Sequence, residues 1–465
     1  MPRVHAKDMT QGNEARLILS FTLPLLAGNL LQQLYNIADT AIVGKVLGDD
    51  ALAAVGATGS VTFLFSTLCL GLATGAGVII SQFFGAGFLQ RMRSAIWNSA
   101  AVTLFFGVLI SVLGAVLSEP VQRLLLDTPA NLLPMSVSYM RIACGGTLAV
   151  AAYNWINAVM RALGDSKTPL LFLGIASVLN VGLDLLFVMV LHTGVAGAAL
   201  ATVLSQLLSA VSCIIYAFVR MPELRLSRDD RRIDRSMMRL CIRTGLPIAA
   251  QSSMISVSMV ALQRVTNGFG ETVMTAYTAS MRVEQFIQQP FASLGAALAT
   301  FTGQNIGAAK PARARQGLRA GLKLSTLLAA GMAVLFWCIG DLVIRCFISG
   351  AESVSLGYFA LRVTSLFYIF LGFIYVVRGF LNGAGDTAYA MMNGIAEVVC
   401  RVGGALVMTR LLGIGCRAIW YTTGLTWLVT GIVGLLRYHG GAWESKAIGA
   451  KTQKEGCDSE HPQTA

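Results

Sequence analysis

The sequence predicts an all-α polytopic membrane protein with twelve transmembrane helices arranged in two six-helix lobes. Three observations support this fold class: an apolar composition, apolar stretches long enough to cross a bilayer, and an internal repeat. Hydrophobic residues make up 55% of the 465-residue chain and charged residues only 12%, whereas soluble domains usually carry roughly 25% charged residues. This composition favours a chain that is embedded in lipid over a soluble one.

Apolar stretches of about 20 residues, the length that crosses ~30 Å of hydrocarbon, recur along the whole chain. The alternating apolar and polar pattern of membrane β-barrels is absent from the sequence, so the spans are predicted to be helices. The twelve predicted spans are residues 17–44, 52–84, 93–117, 134–163, 168–190, 195–219, 241–267, 274–302, 315–347, 353–381, 388–412 and 415–437.

Three short motifs occur twice, with a separation of about 222 residues in each case. The pairs are Leu23-Pro24 and Leu246-Pro247, Gln82-Phe-Phe-Gly85 and Gln304-Asn-Ile-Gly307, and Gly164-Asp165 and Gly385-Asp386. Each repeat contains six predicted spans, an even number, so both lobes enter the membrane in the same sense. We therefore expect a pseudo-two-fold axis along the membrane normal, an arrangement found in transporters.

The longest polar interruption separates the two repeats and sets the predicted domain borders. We assign residues 1–219 to an N-terminal six-helix lobe that couples to an ion and residues 241–437 to a C-terminal six-helix lobe. Residues 220–240 form a basic cytoplasmic linker, expected to be solvated, although a partner-binding site is an alternative. Residues 438–465 are predicted to be a disordered cytoplasmic tail.

The net charge of +12 follows membrane topology. Most Lys and Arg residues lie in the alternate connections that share one side, the positive-inside pattern, so both termini are predicted to be cytoplasmic. The expected macromolecular partner is the lipid bilayer, and no nucleic acid is expected. The nine cysteines are scattered without metal-ligand spacing, and we expect no cofactor.

Charged side chains within a span cost ~2.5–3.5 kcal/mol and indicate function. Asp39 lies in the first span one turn after Asn36, and Asp184 lies in the fifth span, four residues after Asn180 on the same helix face. A carboxyl group removed from water, or facing a second carboxyl group, binds a proton more readily. The two aspartates therefore predict a proton or Na⁺ site, the alternative being that each only bonds a neighbouring helix.

The second repeat carries different buried charges. Leu262 and Ala405 stand at the positions that match Asp39 and Asp184, so the ion site is not expected to be duplicated. Glu284 in span eight is a candidate cavity acid that attracts cationic substrate.

Two further features concern the helices themselves. Glu397 and Arg401 in span eleven are spaced for an intrahelical ion pair. Pro24 and Pro247 each lie inside a long helix and are candidate hinges, or else static bends.

Four motifs in order carry a resemblance to a known family: Asp39-Thr-Ala-Ile-Val-Gly44, Gln82-Phe-Phe-Gly-Ala86, Arg161-Ala-Leu-Gly-Asp-Ser-Lys-Thr-Pro169 and Asn180-x-x-x-Asp184. With the twelve repeated spans, the chain resembles the multidrug and toxic compound extrusion (MATE) family over about residues 15–437, most closely its prokaryotic DinF- and MepA-like branch.

The resemblance implies a cation-coupled antiporter in which H⁺ or Na⁺ enters while organic compounds leave. It also implies that the ion site consists of Asp39, Asn157, Asn180, Asp184 and Thr202. If the ion is Na⁺, its ligands are expected to be Asp39, Asn180 and Asp184. Some members of the family use an acid in span seven. This chain offers only Gln251 and Gln263 there, so a second ion site of that kind is not expected.

The expected function is the export of small amphipathic or cationic compounds by a monomer in the plasma membrane of a prokaryote. Asn36, Glu284 and Gln251 are candidate residues of the substrate cavity. The alternative is a flippase of a lipid-linked precursor, but the buried cations are few for a phosphate-binding cavity. A membrane-embedded enzyme is disfavoured, because the sequence has no His cluster, Asp-x-x-Asp motif or phosphate loop.

Overall fold

The computed structural model describes residues 7–446, and all regular structure in that range is helical. The α-helices in chain order are α1 (Glu14–Ile42), α2 (Asp49–Gly85), α3 (Leu89–Val116), α4 (Ser118–Pro120), α5 (Leu133–Gly145), α6 (Thr147–Ala162), α7 (Lys167–Asp184), α8 (Gly194–Arg220), α9 (Arg235–Asn267), α10 (Glu271–Gly307), α11 (Pro311–Arg345), α12 (Ala351–Ser365), α13 (Tyr368–Gly383), α14 (Ala388–Leu406) and α15 (Ala418–His439). Short π-helical segments continue four of them, at Val43–Leu47, Val121–Leu125, Leu185–Val190 and Val407–Leu411.

Each predicted span has a helix or a broken pair of helices at its place. Within residues 7–446, ten spans are long and apolar enough to cross a membrane by length and composition, and α12 with α13, bent by 53°, makes an eleventh. The remaining predicted span, 274–302, lies in α10, which has 37 residues. The most apolar part of α10 is more polar than that of the other spans, because this helix carries charged and amide side chains.

The chain folds into two compact units. The first unit contains residues 7–8 and Pro24–Ala249, and the second contains Met9–Leu23 and residues 250–446. Helix α1 therefore passes from one unit to the other at Pro24, and α9 does so two residues after Pro247. The predicted lobes differ from these units in two helix segments, and their borders at residues 219 and 241 stay a proposal.

Side-chain caps explain where several helices begin. Asn13 accepts a hydrogen bond from the backbone N–H of Arg16 at 3.0 Å and so caps α1. Asp165 accepts one from the backbone N–H of Lys167 at 2.9 Å and caps α7. The repeated Gly-Asp motif is thus a helix-start signal in the first unit.

The second copy of this motif has a different partner. Asp386 is buried, and its carboxylate accepts two hydrogen bonds from the Arg437 guanidinium, at 2.8 and 3.1 Å. The motif therefore occupies matching places in the repeat while its aspartate caps a helix in one unit and forms a bidentate ion pair in the other.

Glycines allow helices to approach closely within each unit. A Cβ added at Gly71 or Gly75 of α2 would collide with the α9 backbone at Ala249 or Gly245. In the second unit, a Cβ at Gly379 of α13 would collide with the carbonyl oxygen of Gly295 in α10. These positions need glycine because backbones are in contact there, as small residues allow in membrane helix packing.

The linker between the repeats is exposed at eleven of its residues and contacts the first unit at a few points, and its assignment as a solvated linker stays a prediction. Asn98 of α3 accepts a hydrogen bond from the Asp234 backbone N–H at 2.8 Å and donates one to the Arg232 carbonyl oxygen at 3.2 Å. Leu224 of the linker is fully buried. A buried polar anchor and a buried leucine fix the path of this segment.

The predicted disorder of residues 438–465 is wrong for the first part of that range. Helix α15 extends to His439, and a 3₁₀ turn follows at Ala442–Lys446. Trp443 is only 1% exposed and lies edge-on to Phe380, with ring centroids 4.9 Å apart. Residues 447–465 lie outside the described range.

Candidate functional site

The two membrane aspartates lie where their helices change from α to π geometry. Asp184 is the last residue of α7, and the π segment Leu185–Val190 follows at once. Asp39 is in the last turn of α1, just before the π segment Val43–Leu47. Such insertions occur frequently at functional sites. Both carboxylates therefore come from locally irregular helix ends.

The side chains of Asp39 and Asp184 lie within hydrogen-bonding reach of each other. Asp184 has no exposed surface, and one oxygen of each carboxyl group has no hydrogen-bond partner within residues 7–446. Two adjacent carboxyl groups do not both ionise without a compensating cation. A pair with this geometry has the chemistry to hold a proton or a small cation.

Asn180 joins this pair to α8. In the side-chain orientation that satisfies both ends of the amide, Nδ2 donates to Asp184 Oδ2 at 2.9 Å and Oδ1 accepts from the Thr202 backbone N–H at 3.3 Å. The opposite orientation offers only a 3.4 Å bond from Nδ2 to Thr202 Oγ1. The first orientation is preferred because it leaves neither end of the amide facing a like group.

Two tyrosines that sequence reasoning missed surround the carboxyl pair. The Tyr35 hydroxyl lies within hydrogen-bonding reach of the Thr202 side chain, and the Tyr139 ring lies near both Asp39 and Asp184. Tyr35 is four residues before Asp39 on the same helix face, so the spacing was a usable signal. Tyr139 comes from α5, and no local pattern connects it to the site.

An apolar cluster closes one side of the pair. Val43 and Val188, each four residues after one of the aspartates, are buried together with Val195 and Ala198, and Tyr139 packs against them. The residue one helical turn beyond each carboxyl group is therefore a buried valine. In such low-dielectric surroundings an unpaired carboxylate is costly, and a bound cation is held more strongly.

Asn157 lies on α6 and is 7% exposed. Its side chain interacts with Tyr153 one turn earlier, and its Oδ1 atom has no hydrogen-bond partner within the described range. The structure thus brings together Asp39, Asn180, Asp184 and Thr202, whereas the participation of Asn157 stays a prediction.

The residues that match the two aspartates in the second repeat are buried in apolar surroundings. Leu262 and Ala405 are 1% and 0% exposed and belong to one buried cluster with Ile419 and Trp420. Two residues that the repeat predicts to correspond to the aspartate pair thus also lie together. This agreement supports the residue-by-residue correspondence between the repeats.

The second unit holds its own buried polar groups. The predicted Glu397–Arg401 pair is formed, with Arg401 Nη2 donating to Glu397 Oε1 at 2.7 Å. Glu284 on α10 is 6% exposed.

The remaining candidate cavity residues are divided between the units. Gln251 on α9 is buried in the second unit, with Nε2 unpartnered within the described range, whereas Asn36 is exposed on α1 in the first. No cluster of three or more His, Cys, Asp or Glu side chains suited to a metal ion occurs in residues 7–446.

Comparison with known proteins agrees with the repeat and the fold. The model of the MatE family matches residues 24–186 and 247–407. The probable multidrug resistance protein YpnP of Bacillus subtilis (strain 168) is 32% identical over 455 residues, which are 95% of this chain and 99% of that protein. The multidrug export protein MepA of Staphylococcus saprophyticus is 22% identical over 414 residues, 88% of this chain and 89% of that protein.

A solved structure of a MOP superfamily transporter from Pyrococcus furiosus Vc1 has a TM-score of 0.89 at 23% identity, covering 96% of this chain and 100% of that chain. The predicted fold class, an all-α membrane protein with twelve helices in two lobes, is confirmed. The DinF- and MepA-like branch stays a prediction. The family model matches twice, starting at Pro24 and Pro247, the positions that open the two repeats, and the chain therefore belongs to the MatE family.

Proposed function

We propose that this chain is a secondary active antiporter that exports small organic, often cationic, compounds in exchange for H⁺ or Na⁺. The observation that carries the proposal is the buried Asp39–Asp184 pair, in which each carboxyl group keeps one unpartnered oxygen. The names of the relatives YpnP and MepA, which refer to multidrug resistance and multidrug export, support the substrate class.

The pair links the charge of the site to its conformation. Without a bound ion, two carboxylates repel each other, and a proton or Na⁺ removes this repulsion. The carboxylate oxygens of Asp39 and Asp184 and the hydroxyl oxygen of Thr202 are ligand types that bind a hard cation. An ion that binds one conformation better than another shifts the population toward it by its difference in affinity, and by no more.

The prolines supply a place for the conformational change. Pro24 and Pro247 each leave one backbone hydrogen bond of a long helix unformed. Helix α1 passes between the compact units at Pro24, and α9 does so close to Pro247. We propose that α1 and α9 bend at these prolines when the substrate cavity closes on one side of the membrane and opens on the other.

The substrate is proposed to contact Asn36, Glu284 and Gln251. Glu284 offers a buried acid for a cationic group, and the two amides offer neutral hydrogen-bonding groups. The chain is proposed to act as a monomer in the plasma membrane of a prokaryote with both termini in the cytoplasm. The positive-inside pattern supports that orientation. The membrane potential then supplies ~2.3 kcal/mol for each charge moved across 100 mV.

The test is efflux of a fluorescent organic cation from vesicles of stated orientation, with a pH gradient and a Na⁺ gradient imposed separately. Wild type should respond to at least one gradient, and Asp39→Asn should abolish that response while still inserting into the membrane. Asp229→Asn is the matched control, because Asp229 is exposed in the linker and forms a surface ion pair with Arg232. Undiminished gradient-driven efflux by Asp39→Asn would falsify the proposal.

A further inference from the structure

At one pair of matching positions in the repeat, the second unit has a charged residue and the first unit has a neutral one. The offset of about 221 residues that relates Asp184 to Ala405 also relates Asn180 to Arg401. Leu262 and Ala405 lie in one apolar cluster, as Asp39 and Asp184 lie together in the first unit. The correspondence between Asn180 and Arg401 therefore rests on structure as well as on spacing.

Arg401 is a buried cation with one close partner. Its side chain is 4% exposed and that of Glu397 is 8% exposed, and Nη2 lies 2.7 Å from Glu397 Oε1. The Nε atom of Arg401 has no hydrogen-bond partner within residues 7–446. Burying a guanidinium group costs several kcal/mol unless a carboxylate compensates for the lost hydration. The position thus carries a permanent positive charge that cannot leave.

Other ionisable groups face this pair from two further helices. Glu284 and Tyr277 of α10 lie within electrostatic range of Arg401. Tyr375 of α13 lies within range of both Arg401 and Glu397. Glu284, Glu397 and the Arg401 guanidinium therefore lie close together in the second unit, whereas the Asp39–Asp184 pair of the first unit has no ion pair with a cationic side chain within residues 7–446.

We propose that Arg401 is a tethered cation, which takes in the second unit the part that an exchangeable H⁺ or Na⁺ takes in the first. This inference rests on the proposed function and adds a statement about stoichiometry. Coupling ions enter only through the Asp39–Asp184 site, because Glu397 already has its cation. Removal of the positive charge at position 401 should turn the second unit into a site that needs a mobile cation.

The experiment is thermal unfolding of the purified full-length protein in detergent, without any transported compound. Each sample is measured at pH 8 in NaCl and in choline chloride of equal ionic strength, and again at pH 6. The reference is the Asp39→Asn, Asp184→Asn double variant, in which the site of the first unit is removed. Its unfolding midpoint should be the same in Na⁺ and choline and should not rise at pH 6.

Adding Arg401→Gln to this double variant should create a new cation response. We expect the midpoint to rise by on the order of 2 °C in Na⁺ over choline, or at pH 6 over pH 8, since a ligand that binds only the folded state stabilises it. Arg401→Lys in the same background keeps the charge and should show no gain. Arg401→Gln with Glu397→Gln restores the balance of charges and should also lose the gain.

Two results would overturn the inference. One is an Arg401→Gln variant that responds to cations no more than the double variant. The other is a double variant, with Arg401 unchanged, whose unfolding midpoint still shifts with cations as much as that of the wild type. That shift would show that the second unit already takes up a mobile ion. Failure of gradient-driven efflux would contradict the proposed function instead, and the unfolding midpoints would still decide the role of Arg401.

Discussion

At the scale of single residues, the candidate ion site depends on a small number of polar contacts in apolar surroundings. Asp184 is fully buried, so its orientation is set by the groups that it touches. The amide of Asn180 donates to Asp184 Oδ2 and is itself held by the Thr202 backbone. This arrangement makes Asn180 a positioning residue for the carboxylate, which leaves the other carboxylate oxygen available to an ion.

Asn180→Ala should therefore change ion binding without removing a carboxylate. The Asn180 amide stabilises the ionised form of Asp184, and a hydrogen bond to a charged group is worth ~1.5–3 kcal/mol, so without it protons should bind more tightly and the H⁺ concentration for half-maximal efflux should fall about 10- to 100-fold. The measurement is the rate of efflux from vesicles as a function of the driving ion. Ser177→Ala is the control on the same helix, since the Ser177 hydroxyl donates to the Leu173 carbonyl oxygen of its own helix, at 2.9 Å. Equal shifts in the two variants would exclude a specific role for Asn180.

The sequence alone predicted part of this site, for a physical reason. Ionisable residues are rare in apolar spans, so Asp39 and Asp184 are conspicuous, and the four-residue spacing of Asn180 and Asp184 places them on one face. Tyr139 was not predicted, because its proximity depends on how α5 packs against the helices that carry the aspartates. The π segments after both aspartates also left no recognisable pattern in the sequence.

At the scale of helices, backbone contact between α10 and α13 is the clearest packing constraint in the second unit. Gly379→Ala would place a Cβ against the Gly295 carbonyl oxygen, which is backbone and cannot rotate away. We expect a destabilisation of ~1–3 kcal/mol, measured as a lower unfolding temperature in detergent. Gly403→Ala in α14 is the control, because a Cβ there meets no atom within 4 Å, and alanine favours a helix over glycine. Equal stability of the two variants would contradict this account of the packing.

The helices were predicted well, whereas the points at which the connections are anchored were not predicted, and the difference reflects the range of the interactions involved. An apolar run of spanning length forms a helix because the bilayer offers no other partner for its backbone. The linker and the start of the tail are polar in sequence, yet Asn98 anchors one and the burial of Trp443 anchors the other. Both anchors depend on how segments distant in sequence pack together. The polar composition of the two segments could not show these contacts, and it therefore indicated solvated chain.

At the scale of the whole molecule, the repeat preserves positions while the chemistry differs. Asp165 caps a helix where Asp386 pairs with Arg437. An amide stands at Asn180 and a guanidinium at Arg401. A duplicated frame of helices can carry such differences because the spans are held by apolar packing and close glycine contacts, which do not depend on these charges. Such a frame is compatible with our proposal that one copy binds an ion while the other keeps a fixed charge.

Pro24 is the residue at which the whole-molecule proposal is most directly tested. It lies inside α1, where the helix passes from one compact unit to the other. Pro24→Ala restores a backbone N–H and should stiffen the helix, so the turnover rate of efflux should fall about tenfold, equivalent to ~1.4 kcal/mol in the barrier. The ion dependence should not change, because the Asp39–Asp184 contact is not altered.

Pro290→Ala is the matched control, since Pro290 also lies inside a long helix, α10, but within a single unit. An unchanged rate for Pro24→Ala, or an equal loss for Pro290→Ala, would show that Pro24 is a static bend.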